Sequence, residues 1–312
     1  MSNAACGGAP VNLLETSYLG VGSLGLATLV QLGHNRKILF HCATRNGMLA
    51  SAVSAKDDRL TVIAIAALAC ILQDVLHEDL GHGVTAWLSG AHRVTMSTVA
   101  LQSDIDTRWV SANGTLVNLL FAAIFWLLLL RPQRYRPATR YFLVLAMAGN
   151  LFTGTGYFIF SGVANFGDWA AVIRDLQPHW MWQLGLVVLG VASYYVSMLV
   201  VAAELKPFLG KDEGSRRLRV LAWTPYFTDG ILAGLGGLFN PLGWFYIVAS
   251  ALPSTLGANA GLLSLPSMMR TWNHSEEERI RPIRRSVAWT ATAAVVGLLF
   301  IFVLGRGLTW SR

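Results

Sequence analysis

A chain of 312 residues that is 54% hydrophobic and only 13% charged, with a mean hydropathy of +0.49, carries more apolar side chain than a soluble fold of this size could cover. The same composition excludes intrinsic disorder, and Cys6, Cys42 and Cys70 are too few and too scattered for a disulfide scaffold. The formal charge of +7 does not indicate nucleic acid, because the basic residues fall in short clusters between apolar stretches, as in the cytoplasmic loops of a polytopic membrane protein.

The first apolar stretch, 16–32, is glycine-rich and offers an eighth span at most. No basic segment precedes it, so it does not read as a signal peptide. Crossing about 30 Å of hydrocarbon takes roughly 20 residues, a length met by 60–88, 109–130, 141–163, 180–203 and 286–304. The longer apolar stretch 220–265 is broken at Asn240-Pro241 and reads as a helical hairpin, which brings the count to seven. The expectation is an all-α polytopic membrane protein with an N-terminal segment 1–59, a four-helix core 60–203, and a hairpin plus final span in 204–312. Basic segments at 36–59, 131–140, 204–219 and 270–285 alternate with connections at 89–108 and 164–179 that are poor in Lys and Arg. That bias assigns the basic segments to the cytoplasm; the expected location is the plasma (inner) membrane of a bacterium. The tryptophans near span ends, Trp109, Trp180, Trp182 and Trp244, read as interfacial anchors.

Ionisable residues inside a span are costly and point to function. The run Gln73-Asp74-Val75-Leu76-His77-Glu78-Asp79-Leu80-Gly81-His82 puts six polar or ionisable side chains into one helix. Two histidines with a glutamate beside the first are the ingredients of a zinc hydrolase: imidazoles as neutral ligands and a carboxylate to accept a proton from the attacking water. The usual His-Glu-x-x-His spacing keeps both histidines on one helix face. Here one more residue intervenes, and on a regular helix the rings would diverge by roughly 140°. A single π-type turn would bring them back together, and Gly81 makes that distortion cheaper. On a regular helix the pair Glu78 and His82 would converge instead, with Asp79 as the base.

The segment from Gly81 to Val94 resembles the stretch that follows the zinc motif in the site-2 protease family of intramembrane metalloproteases, and Asn113-Gly114-Thr115-Leu116-Val117-Asn118 is similar to that family's Gly-Pro-x-x-Asn helix start, with Thr115 in place of proline. The six-residue form His77-Glu78-Asp79-Leu80-Gly81-His82 is similar to the His-Glu-x-x-Gly-His motif of the dipeptidyl peptidase III family. Together these resemblances imply His77 and His82 as zinc ligands and Glu78 as the general base, over roughly residues 60–130. Catalytic zinc usually takes a third protein ligand. Asp168, in Asn165-Phe166-Gly167-Asp168-Trp169, is favoured, because charge bias places it on the same membrane side as His82. Asp229, which keeps the family's Asp-Gly pair, is the alternative. Asp74, three residues before His77, could hold its second ring nitrogen. Asn118 and Asn150 read as helix-packing amides, with Asn150 also able to orient a substrate strand.

The expected function is membrane-embedded zinc metalloprotease, acting on a membrane protein or peptide substrate in or beside the lipid bilayer, with no nucleic-acid partner. The alternatives are a cation or metal transporter using His77, Glu78 and His82 as a path, and an inactive protease relative that only binds membrane partners.

Overall fold

The structure, a computed structural model, describes residues 56–131, 135–209, 214–241, 243–272 and 280–311; the expected span at 16–32 lies outside them. Helix α1 (Arg59–Leu88) begins where Asp58 accepts from the Thr61 amide at 2.9 Å and the Thr61 hydroxyl at 2.7 Å, an N-cap that satisfies otherwise orphaned donors. Thr107 caps α2 (Arg108–Leu129) in the same way. Pro137 occupies the first turn of α3 (Pro137–Ala164), where its missing N–H removes no helical bond. A short α4 (Asp168–Ile173) precedes α5 (His179–Leu205) and α6 (Gly214–Leu238). After these come an irregular α7 (Ile247–Met268) and α8 (Val287–Phe302).

The protein is mostly helical, and among the described residues six helices are long and apolar enough to cross a membrane. Helix α6 has the length, at 25 residues, but it carries Arg216, Arg217, Arg219, Pro225 and Asp229 and is not one of the six. Pro225 has no N–H, which deprives the Leu221 carbonyl one turn earlier of its helical donor. The buried Tyr141 hydroxyl on α3 donates to that carbonyl instead, at 2.7 Å. The sequence break at Asn240-Pro241 does separate α6 from α7, and α7 itself is built from π turns at Ile247–Ala251 and Pro253–Gly257 followed by a 3-10 turn.

One element corrects the all-α expectation. Strands β1 (Arg93–Met96), β2 (Gln102–Ser103) and β3 (Leu308–Ser311) form an antiparallel sheet in the order β2-β1-β3. Thr95 pairs with Gln102 on one side and with Thr309 on the other, and the Thr95 and Thr309 hydroxyls meet at 2.9 Å. A β-branched pair at Val94-Thr95 suits a pleated strand. Its partner β3 lies more than 200 residues away, at a separation that no local pattern reveals.

Residues 53–312 form one compact unit, with its main core between α1, α3, α5 and α6 around Ile65, Tyr141, Phe152, Val201 and Leu221. At one end, the buried Arg217 guanidinium pairs with Asp57 at 2.8 Å and also donates to the carbonyls of Phe208 and Ile280. Removing one partner of such a pair typically costs about 3–5 kcal/mol. Helices α5 and α8 turn large apolar side chains outward, among them Leu184, Val188, Val191, Val295 and Leu298. Trp109, Trp180 and Trp244 are exposed where helical segments start.

Candidate metal centre

Residues Leu76–Gly83 of α1 adopt a π-helix, whose i to i+5 bonding brings residues five apart onto one face. The His77 and His82 rings therefore meet edge to face, with centroids 4.7 Å apart, and Glu78, equally buried, sits on the same turn. Two glycines admit this geometry. A Cβ on Gly81 would run into the backbone of Gly114 on α2, and a Cβ on Gly114 would overlap the imidazoles of both His82 and His77.

The third member arrives from the end of α3. Asn165 takes the left-handed conformation (φ 51°) that ends the helix, and Gly167 (φ 84°) turns the chain so that Asp168 opens α4 facing the histidines. Positive φ at Gly167 is a conformation that side chains with a Cβ rarely adopt. Asp168 Oδ2 lies 3.2 Å from His77 Nε2 and 3.3 Å from His82 Nε2, and the two Nε2 atoms are 3.2 Å apart.

The protonation of this triangle follows from the outer contacts. His82 Nδ1 lies 2.6 Å from the Val110 carbonyl, which can only accept, so Nδ1 carries the proton. His77 Nδ1 lies 2.6 Å from Asn118 Oδ1. The Asn118 amide is oriented because its NH₂ is used twice, donating to Asn150 Oδ1 at 2.7 Å and to the Gln73 carbonyl at 3.3 Å. Its oxygen therefore faces His77, and Nδ1 again holds the proton. In the neutral form of each ring Nε2 is then a bare lone pair, and Asp168 Oδ2 is buried without a hydrogen-bond donor. Three acceptors in mutual contact repel unless a cation lies between them. A tetrahedral ion with bonds of about 2.0 Å needs ligand atoms about 3.3 Å apart, which is the spacing these atoms have. The cluster of His77, His82 and Asp168 could thus hold a metal ion.

Other expected residues stand elsewhere. Asp229 does not join the cluster; it is buried on α6 and accepts from Asn259 Nδ2 at 2.7 Å, beside Cys70 in a cavity of about 20 Å³. Asp74 does not hold His77, because Asn118 takes that nitrogen; Asp74 Oδ2 is buried without a partner. Asn150 acts one step further out, fixing Asn118 while donating to the Ala146 carbonyl at 2.8 Å. Sequence reasoning passed over Asn118 as an orienting group, although a fully buried amide in a span was itself a signal. It also passed over Tyr157, which stacks on the His77 ring with centroids 4.8 Å apart, and no local pattern marks that residue.

The cluster opens into a cavity of about 980 Å³ lined by Glu78, His82, Asp168 and Tyr157, by Leu101 to Ser103 along β2, and by α7 around Ser254. The fold and the site together define a helical protein with a buried two-histidine, one-carboxylate centre at the wall of a large cavity. No family model, curated protein or solved structure matches the chain.

Proposed function

We propose that this chain is an integral-membrane zinc hydrolase, built like a site-2 protease and cleaving peptide bonds in or beside the bilayer, with its basic face in the cytoplasm. The observation that carries the metal is the triangle of two bare imidazole nitrogens and one carboxylate oxygen, each edge 3.2–3.3 Å, with both Nδ1 atoms committed to carbonyl oxygens. Imidazole and carboxylate with one open position suit catalytic zinc. Exposed apolar faces on α5 and α8 support the bilayer, since a soluble monomer rarely exposes such contiguous patches.

Zinc held there would polarise a scissile carbonyl and acidify a water. Glu78, buried next to His77 and lining the cavity, accepts a proton of the water as its oxygen adds to the carbonyl carbon, then delivers that proton to the amide nitrogen, so that the C–N bond of the tetrahedral adduct breaks with the amine as leaving group. Asn118 and the Val110 carbonyl hold the imidazoles in the ligating tautomer. An extended peptide fits the cavity because β2 is an edge strand, paired with β1 on one side only, and its residues line the cavity wall. Backbone pairing along such an edge holds a substrate strand straight, as cleavage of a transmembrane helix requires once it has unwound.

The test is Glu78→Gln in detergent-purified full chain. A hydrolase keeps about one zinc per chain and loses peptide cleavage. Loss of a cation flux in reconstituted vesicles, with no cleavage by either form, would transfer the site to a transporter.

A further inference from the structure

We infer that the chain carries a binding site for the headgroup of an anionic phospholipid, in a groove between the first turns of α3 and α8; the inference rests on the bilayer reading above. The groove, about 850 Å³, is lined by Arg136, Arg281, Arg284 and Arg285 at its mouth and by Ala288, Trp289 and Thr292 along α8. Four arginines line it and no carboxylate does among the described residues. Arg136, Arg281 and Arg284 make no ion pair among those residues, while Arg285 is close enough to Asp58 to lower its carboxyl.

Two further features select a phosphate with acyl chains. First, α3 starts without a side-chain cap, and its first turn, Arg136 to Thr139, with the positive end of a 28-residue helix, lines the groove. Guanidinium forks and free amides are the donors that phosphate oxygens accept. Second, beside the basic mouth the groove runs along the exposed, largely apolar face of α8. Ala288 and Thr292 are one turn apart on α8, and beyond them the helix exposes Val295 and Leu299. A soluble anion uses only the mouth, whereas a phospholipid uses both parts, headgroup among the arginines and chains along α8. The lining arginines belong to the basic segments 131–140 and 270–285, which charge bias assigns to the cytoplasmic side, where anionic lipids reside.

The experiment uses the purified full chain exchanged into mixed micelles of equal phosphatidylglycerol and phosphatidylcholine, with bound lipid quantified after gel filtration. Wild type should retain phosphatidylglycerol selectively. Arg136→Gln/Arg284→Gln should weaken retention about 25-fold, taking each surface arginine as worth roughly fivefold. Thr292→Phe, which crowds the α8 side of the groove and keeps every charge, should also weaken it. Each variant is accepted only with the wild-type gel-filtration profile and metal content. Equal retention of the two lipids by wild type, or unchanged selectivity in both variants, overturns the site. Displacement of the lipid by millimolar inorganic phosphate assigns the groove to a soluble anion and overturns it equally. Resistance of the native protein to carbonate extraction from membranes reports the bilayer reading separately, so a protein that stays in the membrane without lipid selectivity fails this inference alone.

Discussion

Asn118→Ala removes the one group that sets the tautomer of His77. The contact is short, 2.6 Å, and both residues are buried, Asn118 completely, so water cannot replace the lost oxygen. Two responses are open to His77. It can keep its proton on Nδ1 and leave a buried donor unpaired, at a cost on the order of 1–3 kcal/mol, or move the proton to Nε2 and block the ligand position. Either route should lower zinc affinity by roughly 10- to 100-fold, the range seen when a metal-bound histidine loses its outer partner. The assay is a competition titration of the full chain against a chromogenic chelator at constant pH. Asn118→Asp separates orientation from packing: it keeps an acceptor for His77 but loses the donors to Asn150 and Gln73. It should bind zinc about as well as wild type while melting at a lower temperature. Wild-type affinity in a folded Asn118→Ala protein, or equal loss of affinity in both variants, would refute this account of the site.

Gly114→Ala places a methyl group where the His82 and His77 rings lie; it should abolish stoichiometric zinc, by metal analysis, without unfolding the helices by circular dichroism. Asp168→Ala should weaken zinc by at least tenfold, whereas Asp229→Asn, which keeps an oxygen for Asn259, should leave the titration nearly unchanged; the reverse pattern would move the centre to α6. Asp58→Ala should cost about 1 kcal/mol of stability through loss of the α1 cap. Bonds from the Thr61 hydroxyl and then its amide hold the Asp58 carboxyl below its ordinary value of 3.8, so the capping contribution is full above that pH and disappears as pH falls through the lower folded value. The gap between wild type and variant in thermal melts should close only in that acid range.

Much of the helical layout is legible in hydropathy, because an apolar run of fixed length is a local property: the stretches at 60–88, 109–130, 141–163 and 180–203 each coincide with one helix. Local chemistry also exposed the need for a π turn, since a five-residue histidine spacing conflicts with a 3.6-residue helix. The Asn165 to Asp168 turn was readable for a similar reason, glycine before the aspartate permitting a backbone that other residues resist.

What the linear chain did not reveal is long-range. The partner of β1 is the strand at 308–311, and the outer ligand of His77 is an amide 41 residues away rather than the aspartate one turn before it. Charge bias favours Asp168 over Asp229, but packing separates them: the turn after α3 aims one at the histidines, while α6 holds the other against Asn259. The composition and periodicity of the chain determined that it would be helical, apolar and charged in one unusual place. Which side chains meet there was decided by the tertiary structure, because the contact of Gly81 with Gly114 lets α1 and α2 approach closely enough for rings, carbonyls and a carboxylate from three separate segments to share one centre.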